Sequence, residues 1–428
     1  MLLIKNGTVY ESEKLPKRQD LLIQGGKIAE MSDEIQETSD MQVIDVEGLF
    51  VAPGLVDMHV HLRDPGLEYK EDIYTGSSAA AAGGITTCLC MPNTAPPIDS
   101  PDIIRYIENK AETAPIDIYT CAAVTKGLGG KELTDFAALK AAGAIALSDD
   151  GNPIQNAALA RLAMQKAKEH DLLIISHCED AEMVQNHGVN EGEVSEKLGI
   201  PGRPAIAEEI MVMRDMMLAT ETGAKVHIAH VSTAGSVEII RQAKKAGAKV
   251  TAETAPQYFV LTEEEILKQN ALARVNPPLR TKDDIEAIIQ GLKDGTLDAI
   301  ATDHAPHSMD EKTLPIPDAM SGMIGLETSL GLTLTYLHHT GKFSVSEIIK
   351  LMSENPAGIL GLDNAGKLAI GAVADIVIFD PNEKWVVEPS KFKSKARNTP
   401  FAEMELQGRV KYTISRGEVV YKPDVLNS

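Results

Sequence analysis

The stretch Asp57-Met58-His59-Val60-His61-Leu62-Arg63-Asp64-Pro65-Gly66 decides the fold. Residues Val51 to Val60 are apolar apart from Asp57 and the Pro53-Gly54 break, which predicts a buried strand stopping at the Asp64-Pro65-Gly66 turn. Side chains alternate across a strand, so His59, His61 and Arg63 are expected on one face, with Val60 and Leu62 on the other. Two imidazoles about 7 Å apart along one face can reach a single metal ion, with Arg63 just beyond them. The blander reading, two hydrogen-bonded histidines in an ordinary strand, loses weight once the rest of the chain is considered.

Downstream, apolar runs recur at Ile85–Met91, Ile116–Val124, Ala144–Ser148, Leu172–His177, Val226–Val231, Lys249–Glu253 and Ala299–Asp303. Helix-like stretches such as Ser236–Ala246 separate most of them, and Gly143 and Gly247 stand just before the next strand. Eight strands alternating with helices predict an α/β fold, a (β/α)8 TIM-type barrel. A doubly wound open sheet is the competing architecture.

The chain ends have a different rhythm. Leu2–Ile4, Asp20–Gln24 and Gln42–Val46 near the start, and Ala374–Phe379, Trp385–Val387 and Val410–Ile414 near the end, are short strand-like runs with Gly, Asn and Pro punctuation. Both termini are therefore expected to build one composite β-sandwich. The expected division is 1–52 and 365–428 for the sandwich and 53–364 for the barrel.

A barrel places its active site at the C-terminal ends of its strands. Those ends carry His59, His61 and Arg63; Asn93; Asp149 and Asp150; His177; His230; and Asp303, His304 and His307. Six of the eleven histidines thus fall on one predicted rim. His170, His187, His338 and His339 lie in helix-like or polar surroundings and read as surface or core polar residues. His227, three residues before His230, is expected on the opposite, helix-facing side of its strand.

Imidazoles and carboxylates converging at one rim suit zinc. The expected set is His59, His61 and Asp303 on one ion and His177 and His230 on another, with Asp150 a candidate bridge and Asp149 its rival. Such a centre activates water and polarises a carbonyl, so hydrolysis of an amide-like bond follows, with Asp303 as proton shuttle. Arg63 and Asn93 suggest a substrate carboxylate close to the cleaved bond. Asn276 and His307 are further polar candidates. The segment Ser308–Met320 is either a loop closing over the site or an inert surface loop.

Composition excludes other classes. A formal net charge of -21 repels nucleic acid and anionic membranes, and no run approaches eighteen apolar residues. The N-terminal residues lack the pattern of a signal peptide, so a cytoplasmic protein is expected. Cys88, Cys90, Cys121 and Cys178 each sit in an apolar run and form no Cys-x-x-Cys pair, which predicts free buried thiols.

Six motifs together are similar to those of dihydroorotases, in the long bacterial type I form of the amidohydrolase superfamily. They are His59-x-His61-x-Arg63-x-Pro65-Gly66, Met91-Pro92-Asn93-Thr94, Asp149-Asp150-Gly151, His177-Cys178-Glu179, Asn276-Pro277-Pro278-Leu279-Arg280 and Ala301-Thr302-Asp303-His304-Ala305-Pro306-His307. The similarity runs over nearly the whole chain. It implies the interconversion of N-carbamoyl-L-aspartate and L-dihydroorotate in pyrimidine synthesis, with one or two Zn2+ ions per subunit. By the resemblance, His59, His61 and Asp303 match ligands of one zinc, His177 and His230 ligands of the other, and Asp150 the bridging position. Arg63, Asn93 and His307 match positions that hold the substrate carboxylate, with His61 beside them and Asn276 and the backbone near Gly322 on the ring amide. Asp64, Gln257-Tyr258 and Met320-Ser321-Gly322 depart from the usual pattern without removing a ligand.

The rivals are an allantoinase- or dihydropyrimidinase-type hydrolase, whose substrates lack a ring carboxylate, and a silent partner of aspartate transcarbamoylase, with which members of this type can associate. A homodimer is the expected assembly.

Overall fold

The computed structural model describes residues 1–10, 15–184 and 188–423; His187 lies outside them. Five strands precede the barrel: β1 (Leu2–Val9), β2 (Lys17–Gln24), β3 (Lys27–Ser32), β4 (Gln42–Asp45) and β5 (Phe50–Pro53). The barrel strands are β6 (Leu55–Val60), β7 (Ile85–Cys90), β8 (Asp117–Ala123), β9 (Ala144–Ser148), β10 (Leu173–Ser176), β11 (Val226–Ile228), β12 (Val250–Thr254) and β13 (Ala299–Ile300). The last strands among the described residues are β14 (Ile376–Val386), β15 (Glu405–Ser415) and β16 (Glu418–Tyr421).

Strands β6 to β13 pair in parallel in sequence order. The ring closes where Val60 bridges His304 and the His61 N–H donates to the His304 carbonyl at 2.9 Å. Val56, Met58, Leu89, Met91, Cys121, Ile175 and Ala301 meet in one buried cluster inside the ring. Their neighbours Val60, Cys88, Cys90, Ala122 and Ile174 belong to the outer core, where the helices pack. Burying both faces is what makes these strands read as continuous apolar runs.

The terminal strands form one sheet in the order β16-β15-β14-β5-β1-β2-β3, with β4 also pairing β1. Gly371 and Ala374 bond to Ile28 and Gly26, and Gly417 to Ala374, so the sheet is drawn back on itself around Leu21, Ile28, Val51, Ile376 and Ile414.

The single strand expected over Val51–Val60 is two. Pro53 still pairs with β14, whereas Leu55 is already in the barrel. Gly54 makes the transfer because it is pressed against Thr86: a Cβ there would lie 2.1 Å from Thr86 Oγ1. Its N–H donates to the Asp375 carbonyl and its carbonyl accepts from Ser353. Strict alternation also fails within the histidine motif. The β6–β7 register slips between Asp57 and Val60, so Met58 and His59 both turn into the barrel. All four cysteines are buried and free.

Candidate active site

The C-terminal rim of the barrel opens into a cavity of about 650 Å³ lined by His61, Arg63, Asn93, Asp150, His177, His230, Asn276, Asp303, His307 and Gly322. His59 lies beneath its floor, fully buried.

Asp150 is at the centre. Its Oδ1 is 3.5 Å from His59 Nε2, 3.5 Å from His177 Nδ1 and 3.6 Å from His230 Nε2, while Oδ2 is 3.6 Å from His61 Nε2. Asp303 Oδ1 lies 3.2 Å from His61 Nε2 and 3.7 Å from His59 Nε2. Two overlapping groups, His59-His61-Asp150 and Asp150-His177-His230, can each hold a metal ion. Ligand atoms about 2.0–2.1 Å from a tetrahedral zinc sit about 3.4 Å apart, close to the carboxylate–imidazole separations here, while His177 Nδ1 and His230 Nε2 are 2.8 Å apart. His59 Nε2 and Asp150 Oδ1 are buried without a hydrogen-bond partner, as ligand atoms reserved for a cation would be. The residues therefore fit a divalent metal with nitrogen and oxygen ligands.

Electrostatics follow from this crowding. Burial works against the Asp150 carboxylate, but the surrounding His59, His177 and His230 hold it well below the usual range. Burial likewise opposes protonation of His177, and Asp150 and Glu179 overcome it, raising the group to about 9. Burial and Arg63 lower His61.

Asp149 turns away and accepts from the Thr125 N–H at 2.9 Å and from its hydroxyl. Parity alone could not separate these neighbours. Asn93 accepts from His61 Nδ1 at 2.8 Å and donates to Asp150 Oδ2 at 3.3 Å, so it steadies the cluster as well as facing the cavity. Asn276 Nδ2 lies 3.3 Å from His177 Nε2 and donates to Glu179 at 3.3 Å, and the Asn276 side-chain oxygen accepts from Arg203.

Arg63 has φ 60°, so its position does not come from strand alternation; its Nε donates to the Pro306 carbonyl at 3.2 Å. His307 is kept neutral by burial and by Arg63 and Lys70. Lys70 donates to its Nδ1 at 3.2 Å, which leaves Nε2–H for the Ser321 carbonyl at 3.0 Å. Gly322 lines the cavity, but its N–H is already given to the Arg274 carbonyl, and its carbonyl accepts from Lys312 and Asn398. The 308–320 segment forms part of the cavity wall through Pro317–Met320 and is tied down by Lys312, whose Nζ reaches the Arg274, Met320 and Gly322 carbonyls at 2.8–3.0 Å.

His227 and His304 differ from expectation. His227 faces the barrel interior, between the helix-facing Val226 and Ile228, and lies 3.3 Å from Glu253. His230 reaches the interior too, because the chain leaves β11 after Ile228 and His230 takes φ 36°, which resets the alternation. His304, although next to Asp303, points to Glu71, with Nε2 3.5 Å from Oε2.

Residues 48–236 match the family described as Dihydro-orotase-like. A dihydroorotase of Ruminiclostridium cellulolyticum is 49% identical over 427 residues, covering 99% of each chain. The chain belongs to the dihydroorotase family. A second dihydroorotase, from a Thermoanaerobacter species, is 49% identical over 99% of this chain and 98% of its own. Among solved structures, the L-hydantoinase (dihydropyrimidinase) of Arthrobacter aurescens superposes with a TM-score of 0.88 at 26% identity, covering 98% of this chain and 96% of that one.

Within this dihydroorotase frame, Glu253, Lys70, Lys312 and Asn398 lie outside the sequence motifs. Glu253 carried a signal: the one charged residue in a strand otherwise made of Val, Thr and Ala. Asn398, which accepts from the His307 N–H at 3.1 Å and donates to the Ala305 and Gly322 carbonyls at 3.1 Å, had none, being 91 residues from His307. No helix among the described residues is long and apolar enough to cross a membrane.

Proposed function

We propose that this protein interconverts L-dihydroorotate and N-carbamoyl-L-aspartate, using zinc held by His59, His61, Asp150, His177, His230 and Asp303. The observation that carries the reading is the pairing of two ends of one cavity: a cluster of metal-ligand atoms around Asp150 and, across from it, the buried Arg63 guanidinium beside His307. When bound, a metal of this kind lowers the pKa of water and polarises a carbonyl.

The chain's own residues do the rest. Arg63 presents a fork of donors to the ring carboxylate, and the neutral His307 beside it adds no competing charge. Asn93 orients His61 through Nδ1, leaving Nε2 toward Asp150 and Asp303. Asp303 accepts the proton of the attacking water and delivers it to the ring nitrogen as the amide bond breaks; ring closure runs the same transfer backwards. Asn276, anchored by Arg203 and Glu179, faces the ring amide.

The hydantoinase-like fold raises a hydrolase of uncharged rings as the second reading, but such a substrate leaves the buried Arg63 without an anion to bind. The test is to follow both directions with the zinc-loaded protein. Turnover of dihydroorotate, lost on chelation and restored by zinc, supports the assignment; turnover of a hydantoin or dihydropyrimidine in its place overturns it. A homodimer belongs to the same proposal. Ile206, Ile210, Met213 and Met217 recur at helical spacing on the outer face of the Ala205–Thr222 helix, each at least 42% exposed; a monomer in sedimentation would refute it.

A further inference from the structure

Beneath the imidazole cluster lies a second buried polar layer with no access to the cavity. Glu253 on β12 accepts from His59 Nδ1 through Oε1 at 2.7 Å. Its Oε2 is 3.3 Å from His227 Nε2, and His227 Nδ1 is 2.8 Å from Thr251 Oγ1. His59 and His227 are 0% exposed and Glu253 is 1% exposed.

The carboxylate can only accept, which places a proton on His59 Nδ1. With its hydrogen on Nδ1, the neutral His59 ring has its lone pair on Nε2, directed at Asp150 and Asp303. The alternative His59 tautomer would place a proton on Nε2, among ligand atoms, and close that position to a metal. A buried carboxylate is costly unless paired, and its position under a single imidazole of the cluster is what singles it out.

We propose that Glu253 is a positioning residue for the metal centre: it sets the tautomer and ring orientation of His59 and thereby the affinity for zinc. The proposal rests on the reading of His59 as a ligand. It separates two contributions. Glu253→Gln keeps an acceptor for Nδ1–H but loses the negative charge; Glu253→Ala loses both and leaves Nδ1–H buried without a partner.

The experiment measures the zinc dissociation constant of the full-length protein by competition with a chromophoric chelator, for the wild type, Glu253→Gln and Glu253→Ala. The visible spectrum of each Co2+-substituted form and the thermal midpoint of each metal-free form are recorded alongside. The expected result is zinc binding weaker by about 10-fold for glutamine and about 100-fold for alanine, with an altered Co2+ spectrum. If alanine prevents folding, the glutamine variant decides. Zinc affinities within twofold of wild type, with or without a lower thermal midpoint, reduce Glu253 to a structural role and overturn the proposal. A wild-type protein that takes up no zinc overturns both this inference and the metal reading beneath it.

Discussion

Asp149 and Asp150 leave the same strand end in opposite directions. Asp150 turns into the histidine cluster, while Asp149 turns out to the Thr125 N–H and hydroxyl. Two carboxylates with one covalent context thus acquire different work from their surroundings. Asp150→Ala is expected to remove the shared acceptor between both ligand groups, lowering bound zinc and abolishing turnover. Asp149→Ala is expected to keep zinc and activity while leaving the buried Thr125 N–H unpaired, at a cost of about 1–3 kcal/mol in stability. Metal content and denaturant unfolding on the same two preparations check the pair, and equal zinc loss in both would break the distinction.

Arg63 is buried, and burial lowers its guanidinium to about 10, still charged at neutral pH. Its Nε is used by the Pro306 carbonyl, so the outer nitrogens are the part that can meet an anion. Arg63→Gln is expected to reduce kcat/KM for dihydroorotate by at least about 30-fold, the lower end for breaking a buried charge pair. Zinc content should not move, because Arg63 contacts none of the ligand atoms. Steady-state kinetics at saturating zinc provide the measurement; an unchanged KM would remove the carboxylate from the assignment.

The parts of this site that could be read from sequence are those written in local patterns. His59-x-His61 sits on one strand, and its spacing survives the register slip because Val60 still separates the two rings. The barrel was legible because each strand is buried on both faces. His227 and His230 show where parity fails: alternation applies only while the chain is extended, and the positive φ of His230 ends it. Gly54 belongs to the same class of error, since a strand that changes sheets has no hydropathy signature. Asn398 was out of reach, because its role exists only through contacts between the C-terminal segment and the rim.

That contact makes a separate prediction. Asn398 is fully buried and joins the His307 N–H to the Ala305 and Gly322 carbonyls. Asn398→Ala would leave the buried His307 N–H and Ala305 carbonyl without a partner, and the Gly322 carbonyl with Lys312 alone, at the end of the cavity away from the Asp150 cluster. KM is expected to rise about tenfold, the equivalent of one buried hydrogen bond, with kcat changed less than about threefold and zinc affinity unaltered. A parallel loss of zinc would show that the rim and the metal cluster are not independent.

Asp375 joins the two sheets: its carbonyl accepts from Gly54 and its carboxylate from the Arg416 N–H at 2.7 Å. Burial, added to by Asp117 and opposed by the Arg416 amide, raises the carboxyl to about 6 from an ordinary 3.8. The folded state therefore binds this proton more tightly than the unfolded chain does. Its contribution is fully present below the unfolded value and is lost as pH rises through about 6. The ionised group then costs up to about 3 kcal/mol at pH 8. Asp375→Asn retains an oxygen for the Arg416 N–H without the buried charge. It should be more stable than wild type at pH 8, with the gap shrinking as pH falls through 6. Urea unfolding at pH 8 and pH 5 measures the sign, and a gap that widens toward acid would mean that Arg416 stabilises the ionised carboxylate more than burial penalises it.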